Sequence, residues 1–131
     1  MTLLVPDAWK SLKYPNQRHE LLLTVQEIIG STLDIASARN FDVDDVYHFF
    51  FDDTDLADET SGYVGLVLFS AEEVNHVSRL TQALDELHKH LGNAPTERYI
   101  VHTSWAKVQS LAKETQLALA HAGAPILTWD K

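Results

Sequence analysis

The spacing of hydrophobic and polar residues predicts helices in the first, third and last quarters of the chain, and strands in its middle. The clearest helical pattern covers residues 71–91, where apolar residues recur every three or four positions. Ser70 precedes this stretch as an N-cap and Glu73 stands at N3, which is the pattern of a capping box. Gly92 follows where a C-cap glycine is expected. The sequence therefore predicts a helix over residues 71–91.

Two further helices are predicted from weaker forms of the same spacing. One covers residues 16–29, directly after Pro15, with Arg18 and other polar side chains turned outward. The other covers residues 104–122, with apolar side chains on one face. Residues 96–101 fit either a short helix or a brief strand.

The middle of the chain has the composition of β-strands. Residues 46–51 are β-branched or aromatic apart from His48, and residues 63–69 form a second apolar run. A long polar connection separates the two runs, so we predict an antiparallel hairpin. Side chains alternate along a strand, and both faces of this hairpin are therefore expected to be apolar and covered. Residues 126–129 are β-prone and form either a third strand or a packed tail.

The predicted fold class is α+β. A small antiparallel sheet is built on the hairpin of residues 46–51 and 63–69, and three main helices pack against it. At 131 residues the chain is expected to form one globular domain, residues 1–131. An apolar sheet edge is prone to pair with another chain, so a homodimer through this edge is an alternative arrangement.

Charge restricts the class of partner. The formal net charge is −9, from 19 acidic and 10 basic residues. This balance opposes binding to nucleic acid and to anionic membranes, and it favours electrostatic steering of a basic protein partner. The chain lacks an apolar run of roughly 18 residues and a signal-peptide pattern, and we expect no membrane association. The absence of cysteine is typical of a reducing compartment, so we expect a cytoplasmic protein.

The connection between the two predicted strands is the main candidate for function, because it concentrates negative charge. Its predicted partner-binding residues are Asp52, Asp53, Asp55, Leu56, Asp58 and Glu59. The apolar Leu56 either packs back into the core or is offered to a partner. The spacing does not match a calcium-binding EF-hand, since Asp58 stands where that loop needs glycine and Val64 where it needs glutamate. We therefore predict an acidic contact surface for a basic protein and no metal site.

Catalysis is the alternative function, in the form of a small hydrolase-like or metal-dependent enzyme that uses histidine and acidic residues near the hairpin. The sequence contains no serine-nucleophile, Walker A or dinucleotide-binding motif, so it assigns no catalytic residue and no cofactor. An acid–base pair of His48 or His102 with a carboxylate of residues 52–59 stays open. His48 is the histidine expected to be buried, with a hydrogen-bond partner. A structural or regulatory homo-oligomer is a third possibility.

The order of several short motifs resembles that of small uncharacterised bacterial α+β proteins. The motifs are Phe51-Asp52-Asp53, Val64-Gly65, Glu72-Glu73, and the helix-start pattern of Tyr99, His102, Trp105 and Val108. The resemblance covers residues 46–119 and implies a fold without an activity. In size, acidity and lack of catalytic motifs the chain is also similar in type to toxin immunity proteins, and this likeness implies neutralisation of a basic toxin.

Overall fold

Helices form most of the chain in the computed structural model, which describes residues 2–38 and 40–128. The long helices are α1 (Pro15–Ile29), α4 (Ala71–Leu91) and α6 (Trp105–Ala120). The short ones are α2 (Leu33–Ser37), α3 (Val43–Tyr47) and α5 (Thr96–Val101), with a π-helical turn over His48–Asp53 and 3-10 turns at Asp7–Ser11 and Thr60–Tyr63. Within these described residues, no helix is both long and apolar enough to cross a membrane.

The three long helices lie where the hydrophobic spacing predicted them. Helix α4 has the predicted limits, and Ser70 Oγ accepts a hydrogen bond from the backbone amide of Glu73 at 3.3 Å. Helix α1 begins at Pro15, whose fixed φ suits the first helical position. The prediction that Arg18 points outward is wrong, because its side chain is buried and paired with Glu73. Residues 96–101, which the sequence left open, form helix α5.

The core lies where α6 packs against both α1 and α4. Each of these helices contributes fully buried apolar side chains, such as Val25, Leu84 and Leu119. The buried indole of Trp105 donates a hydrogen bond to Ser31 Oγ at 2.9 Å, which ties α6 to the end of α1. Burial of this apolar surface is the main source of stability.

The predicted hairpin does not form, and the α+β class is wrong because the chain is mostly helical. Residues 46–51 end α3 and enter the π-helical turn. Val43, Val46 and Phe50 recur at helical spacing and are all buried. Asp42 caps this helix by accepting a hydrogen bond from the amide of Asp44 at 2.9 Å. The buried positions follow the period of a helix, and their burial outweighs the preference of the individual residues for a strand.

The second predicted strand, residues 63–69, is a compact turn. The carbonyl oxygen of Tyr63 accepts hydrogen bonds from the amides of residues 66–68, each at 3.0 Å. Gly65 makes this turn with a φ of +86°, a conformation that glycine adopts without steric cost. Since neither predicted strand exists, the sheet edge that suggested a homodimer is absent from the described structure.

A short antiparallel ribbon joins the two ends of the described chain. Strand β1 (Thr2–Leu4) pairs with β2 (Ile126–Thr128), and Leu3 lies opposite Leu127. Residues 126–128 are therefore a strand, while Trp129 lies outside the described residues. This ribbon is separate from the region where the sheet was predicted.

Candidate functional site

Exposed carboxylates are concentrated in residues 52–59, the segment that the sequence identified as the main candidate for function. Residues 40–78 contain ten acidic residues and no lysine or arginine. The five predicted partner-binding carboxylates are all exposed: Asp52, Asp53, Asp55, Asp58 and Glu59. Thr54 and Leu56 between them, and Thr60 after them, are buried, so the segment turns its carboxylates outward and most of its other side chains inward.

Side-chain hydrogen bonds hold the backbone of this acidic segment. Thr54 Oγ donates to the carbonyl oxygen of Phe49 at 2.7 Å and accepts from the amide of Leu56 at 3.2 Å. The amide of Asp55 donates to the hydroxyl of Tyr63 at 2.9 Å. The carboxylates are therefore attached to a backbone that these hydrogen bonds hold in place.

Leu56 packs back into the core, which is the first of the two alternatives that the sequence left open. Its side chain is 0% exposed and belongs to the hydrophobic core. A partner that docks on the surface of this structure does not reach it.

A cavity of about 270 Å³ lies beside the acidic segment, between the C-terminal half of α4 and residues 43–53. Its lining residues are Asp44, Tyr47, His48, Phe51, Asp52, Asp85, His88 and Asn93. Three are carboxylates, and none is lysine or arginine. A neighbouring pocket of about 170 Å³ shares Phe51 and Asp85 and extends to Asp58. The cavity and this neighbouring pocket together form a groove. Of the predicted partner-binding residues, Asp52 and Asp58 line this groove, and the other predicted carboxylates lie outside it.

Aromatic rings form one wall of the cavity. The rings of Tyr47 and Phe51 lie 5.8 Å apart at an angle of 27°, and Tyr47 also lies 5.1 Å from the ring of His88. The Tyr47 hydroxyl donates a hydrogen bond to the carbonyl oxygen of Leu84 at 2.6 Å, which fixes the ring against α4. A cation is attracted by such aromatic faces as well as by the carboxylates.

Two tyrosines in this region have raised pKa values. Burial raises the pKa of Tyr47 far above its usual value, and the nearby Tyr99 and Asp85 raise it further. Burial also raises the pKa of Tyr99, with Asp44 adding to the effect. Burial is the larger cause in both tyrosines and the nearby carboxylates Asp85 and Asp44 a smaller one, and both phenols are neutral at pH 7.

His48 lies at the edge of the cavity. The prediction that it is buried is wrong. Its side chain is 62% exposed, and Nδ1 lies 2.7 Å from Asp52 Oδ2. The exposure follows from the helical backbone, which turns His48 away from the buried Phe49 and Phe50. The structure thus joins His48 to one of the carboxylates named in the catalytic alternative.

The other histidine of that alternative, His102, does not line the cavity. Its Nδ1 accepts a hydrogen bond from the amide of Ser104 at 3.0 Å. Its ring stacks on that of His90, with the centroids 6.5 Å apart. In the described part of the chain, no group of three or more histidine or acidic side chains is arranged to hold a metal ion.

Most of the residues that line the cavity were not predicted from the sequence. Asp44, His48 and Phe51 lie three or four positions apart, which places them on one face of a helix. The strand interpretation began at residue 46 and therefore separated them. No sequence pattern links these residues to Asp85 and His88, because packing of α3 against α4 brings them together.

A protein-family model described as a domain of unknown function (DUF7945) matches residues 12–124 of the chain. The matched region includes every residue that lines the cavity. No curated protein and no solved structure matches the chain. These comparisons supply no activity, and they show no link to toxin immunity proteins.

Proposed function

The chain belongs to the DUF7945 family, and we propose that it is a non-enzymatic binding domain for a basic protein. A cationic side chain of the partner enters the cavity between α3 and α4. The observation that carries this proposal is the lining of the cavity, where Asp44, Asp52 and Asp85 stand beside Tyr47 and Phe51 without a lysine or arginine.

The cavity strengthens attraction that an exposed acidic surface provides only weakly. Fully exposed ion pairs contribute little because water and salt screen them. A cation inside the groove loses part of its water and meets carboxylates and aromatic faces together, and each of these interactions is stronger there. The side chains that bind it are carried by α4 and the hydrogen-bonded 43–53 helix, so little ordering accompanies binding.

The exposed carboxylates outside the cavity have a different role in this proposal. Asp53, Asp55 and Glu59 form an acidic rim, the name used below for these three residues. They attract a basic partner over a distance and speed its encounter. The cavity residues then determine how long the complex lasts.

A basic toxin is one concrete candidate for this partner. The suggestion rests on the likeness in type to immunity proteins, which are small and acidic and lack catalytic motifs. An acidic cavity that binds a toxin's cationic side chain would block a basic surface that the toxin needs for its target. Co-expression with a toxin encoded beside this chain tests the suggestion, since protection should depend on Asp44 and Asp85.

The experiment for the proposed function compares two double variants of equal charge change. Asp44→Asn with Asp85→Asn alters the cavity, whereas Asp34→Asn with Glu114→Gln alters exposed residues on α2 and α6. Proteins captured from the source cell's lysate by the wild type are identified, and a purified basic protein among them is titrated against all three chains. We expect the cavity variant to bind at least about tenfold more weakly, which is about 1.4 kcal/mol. Equal binding by both variants would overturn the proposal.

The hydrogen bond between His48 and Asp52 favours one second candidate, an acid–base catalyst. A carboxylate that holds Nδ1 of a histidine leaves Nε2 to take up or give a proton. This function requires hydrolytic turnover by the wild type on a panel of ester and phosphoester substrates. Turnover that is lost in His48→Ala and retained in the exposed control His121→Ala would support catalysis instead of binding alone.

A further inference from the structure

The side chains of the cavity are arranged to accept hydrogen bonds. We infer that the cation it binds is the guanidinium group of an arginine, in preference to the ammonium group of a lysine. This inference deepens the proposed function and rests on it. It follows from the positions of the hydrogen atoms on His88, His48 and Tyr47.

The hydrogen on His88 is placed by Tyr99. The Tyr99 hydroxyl contacts both the carbonyl oxygen of Gly92 and Nδ1 of His88, the latter at 3.0 Å. A carbonyl group has no hydrogen to give, so the only hydroxyl hydrogen of Tyr99 points to Gly92. His88 Nδ1 must then donate to the Tyr99 oxygen. In the neutral ring this leaves the lone pair on Nε2.

The hydrogens on His48 and Tyr47 are placed by the same reasoning. Asp52 accepts a hydrogen bond from His48 Nδ1 at 2.7 Å, so the neutral ring again has its lone pair on Nε2. The hydroxyl hydrogen of Tyr47 is donated to the carbonyl oxygen of Leu84 at 2.6 Å. The Tyr47 oxygen can therefore only accept a hydrogen bond from a ligand.

The polar side chains of the cavity therefore share one chemistry. With both histidine rings neutral, its carboxylates, the two histidine Nε2 atoms and the Tyr47 oxygen can all accept hydrogen bonds. Among the described side chains that line the cavity, Asn93 alone has N–H groups that are not used in the hydrogen bonds described above. A ligand that satisfies such a lining needs many donors and a positive charge.

A guanidinium group meets these requirements better than an ammonium group. It has five N–H donors in one plane, and its flat face stacks on aromatic rings such as the neighbouring pair of Tyr47 and Phe51. It is also less strongly hydrated, so less free energy is lost when it leaves water. An ammonium group has three donors and holds its water more tightly. The cavity of about 270 Å³ is large enough to admit the planar group with part of its aliphatic stem.

Three short peptides test this inference. They are acetylated, amidated glycine peptides that differ only in a central arginine, lysine or citrulline, the last being a neutral residue shaped like arginine. Binding is followed by the NMR shifts of the Tyr47 and His88 side chains. We expect the arginine peptide to bind about tenfold more tightly than the lysine peptide, and the citrulline peptide not to bind.

The other outcomes separate this inference from the proposed function. Equal affinity for arginine and lysine would overturn the preference for guanidinium while the cation site stands. Equal affinity for arginine and citrulline would overturn both, because charge would then be irrelevant. If none of the peptides shifts the signals of the cavity, both fail.

The hydrogen positions are tested independently by long-range ¹H–¹⁵N NMR of the histidine rings. His88 is expected to carry its hydrogen on Nδ1. Tyr99→Phe removes the group that holds this hydrogen, so His88 should change tautomer and the arginine-to-lysine affinity ratio should fall. Tyr14→Phe, an exposed tyrosine elsewhere, should leave both readouts unchanged. A wild-type His88 with its hydrogen on Nε2 would overturn the inference.

Discussion

Arg18 and Glu73 form a buried, two-point ion pair. Arg18 Nη1 lies 2.8 Å from Glu73 Oε1, and Nη2 lies 2.9 Å from Oε2. The guanidinium also donates to the carbonyl oxygens of Val67 and Leu119. One side chain of α1 is thereby tied to α4, to the turn before it and to α6.

Glu73 serves this pair and the start of α4 together. Its Oε1 accepts a hydrogen bond from the amide of Phe69 at 2.8 Å, beside the N-cap Ser70. The Arg18 guanidinium also lies 4.6 Å from the centre of the Phe69 ring. The helix cap and the buried ion pair are therefore one structural unit.

We predict that Arg18→Ala lowers the free energy of unfolding by about 3–5 kcal/mol, because it leaves the Glu73 carboxylate buried without its partner. Urea unfolding followed by circular dichroism measures the loss. Arg79→Ala, an exposed arginine on α4, should change stability by less than about 0.5 kcal/mol. Similar small losses in the two variants would show that the ion pair contributes little.

Leu56 should behave as a core residue despite its position among carboxylates. Leu56→Ala is expected to cost about 2–5 kcal/mol, the range for a buried leucine that leaves a cavity. Leu117 is 70% exposed, and Leu117→Ala should be nearly neutral. Thermal or urea unfolding of the two variants gives the comparison. An unfolding free energy for Leu56→Ala close to that of the wild type would place Leu56 at the surface.

Tyr47 should make the protein sensitive to alkali. Because folding raises its pKa, the folded state holds the Tyr47 proton more tightly than the unfolded state does. The associated stability is complete below the pKa of the unfolded tyrosine, roughly 10, and is lost as pH rises above it. Tyr47→Phe loses the hydrogen bond to Leu84 and about 0.5–1.5 kcal/mol at neutral pH. Its stability should then fall less steeply than that of the wild type above about pH 10. Urea unfolding at several pH values measures both stabilities. If the two proteins lose stability equally steeply above about pH 10, this prediction is wrong.

The acidic rim and the cavity should affect binding kinetics differently. Replacing Asp53, Asp55 and Glu59 by their amides should slow association with a basic partner at low salt. The effect should shrink at high salt, since the Debye length falls from about 10 Å at 0.1 M to about 3 Å at 1 M. Asp44→Asn with Asp85→Asn should mainly speed dissociation. Surface plasmon resonance at both salt concentrations measures the two rates.

Two controls complete the kinetic experiment. Asp34→Asn with Glu114→Gln removes two negative charges, as the cavity variant does, and shows how much of the change in dissociation comes from net charge alone. Unfolding curves of the rim variant should match the wild type, because exposed carboxylates contribute little to stability. A rim variant that associates at the wild-type rate at every salt concentration would exclude the rim from the interface.

The sequence by itself determined the long helices. Helix α4 was predicted with its limits, because its cap at Ser70, its apolar stripe and the closing Gly92 are all local signals. The concentration of carboxylates in residues 52–59 is likewise a property of the chain alone. These features need no information about distant residues, so they can be inferred from spacing and residue type.

The tertiary structure decided what the middle of the chain became. The residues of 46–51 favour a strand individually, yet the buried positions of Val43, Val46 and Phe50 are satisfied by a helix that packs on its neighbours. Packing of that helix against α4 also brings Asp44 near Asp85, 41 positions away, and so creates the cavity. The local preference for a strand is small, and burial against other elements supplies the larger free energy that selects the helix.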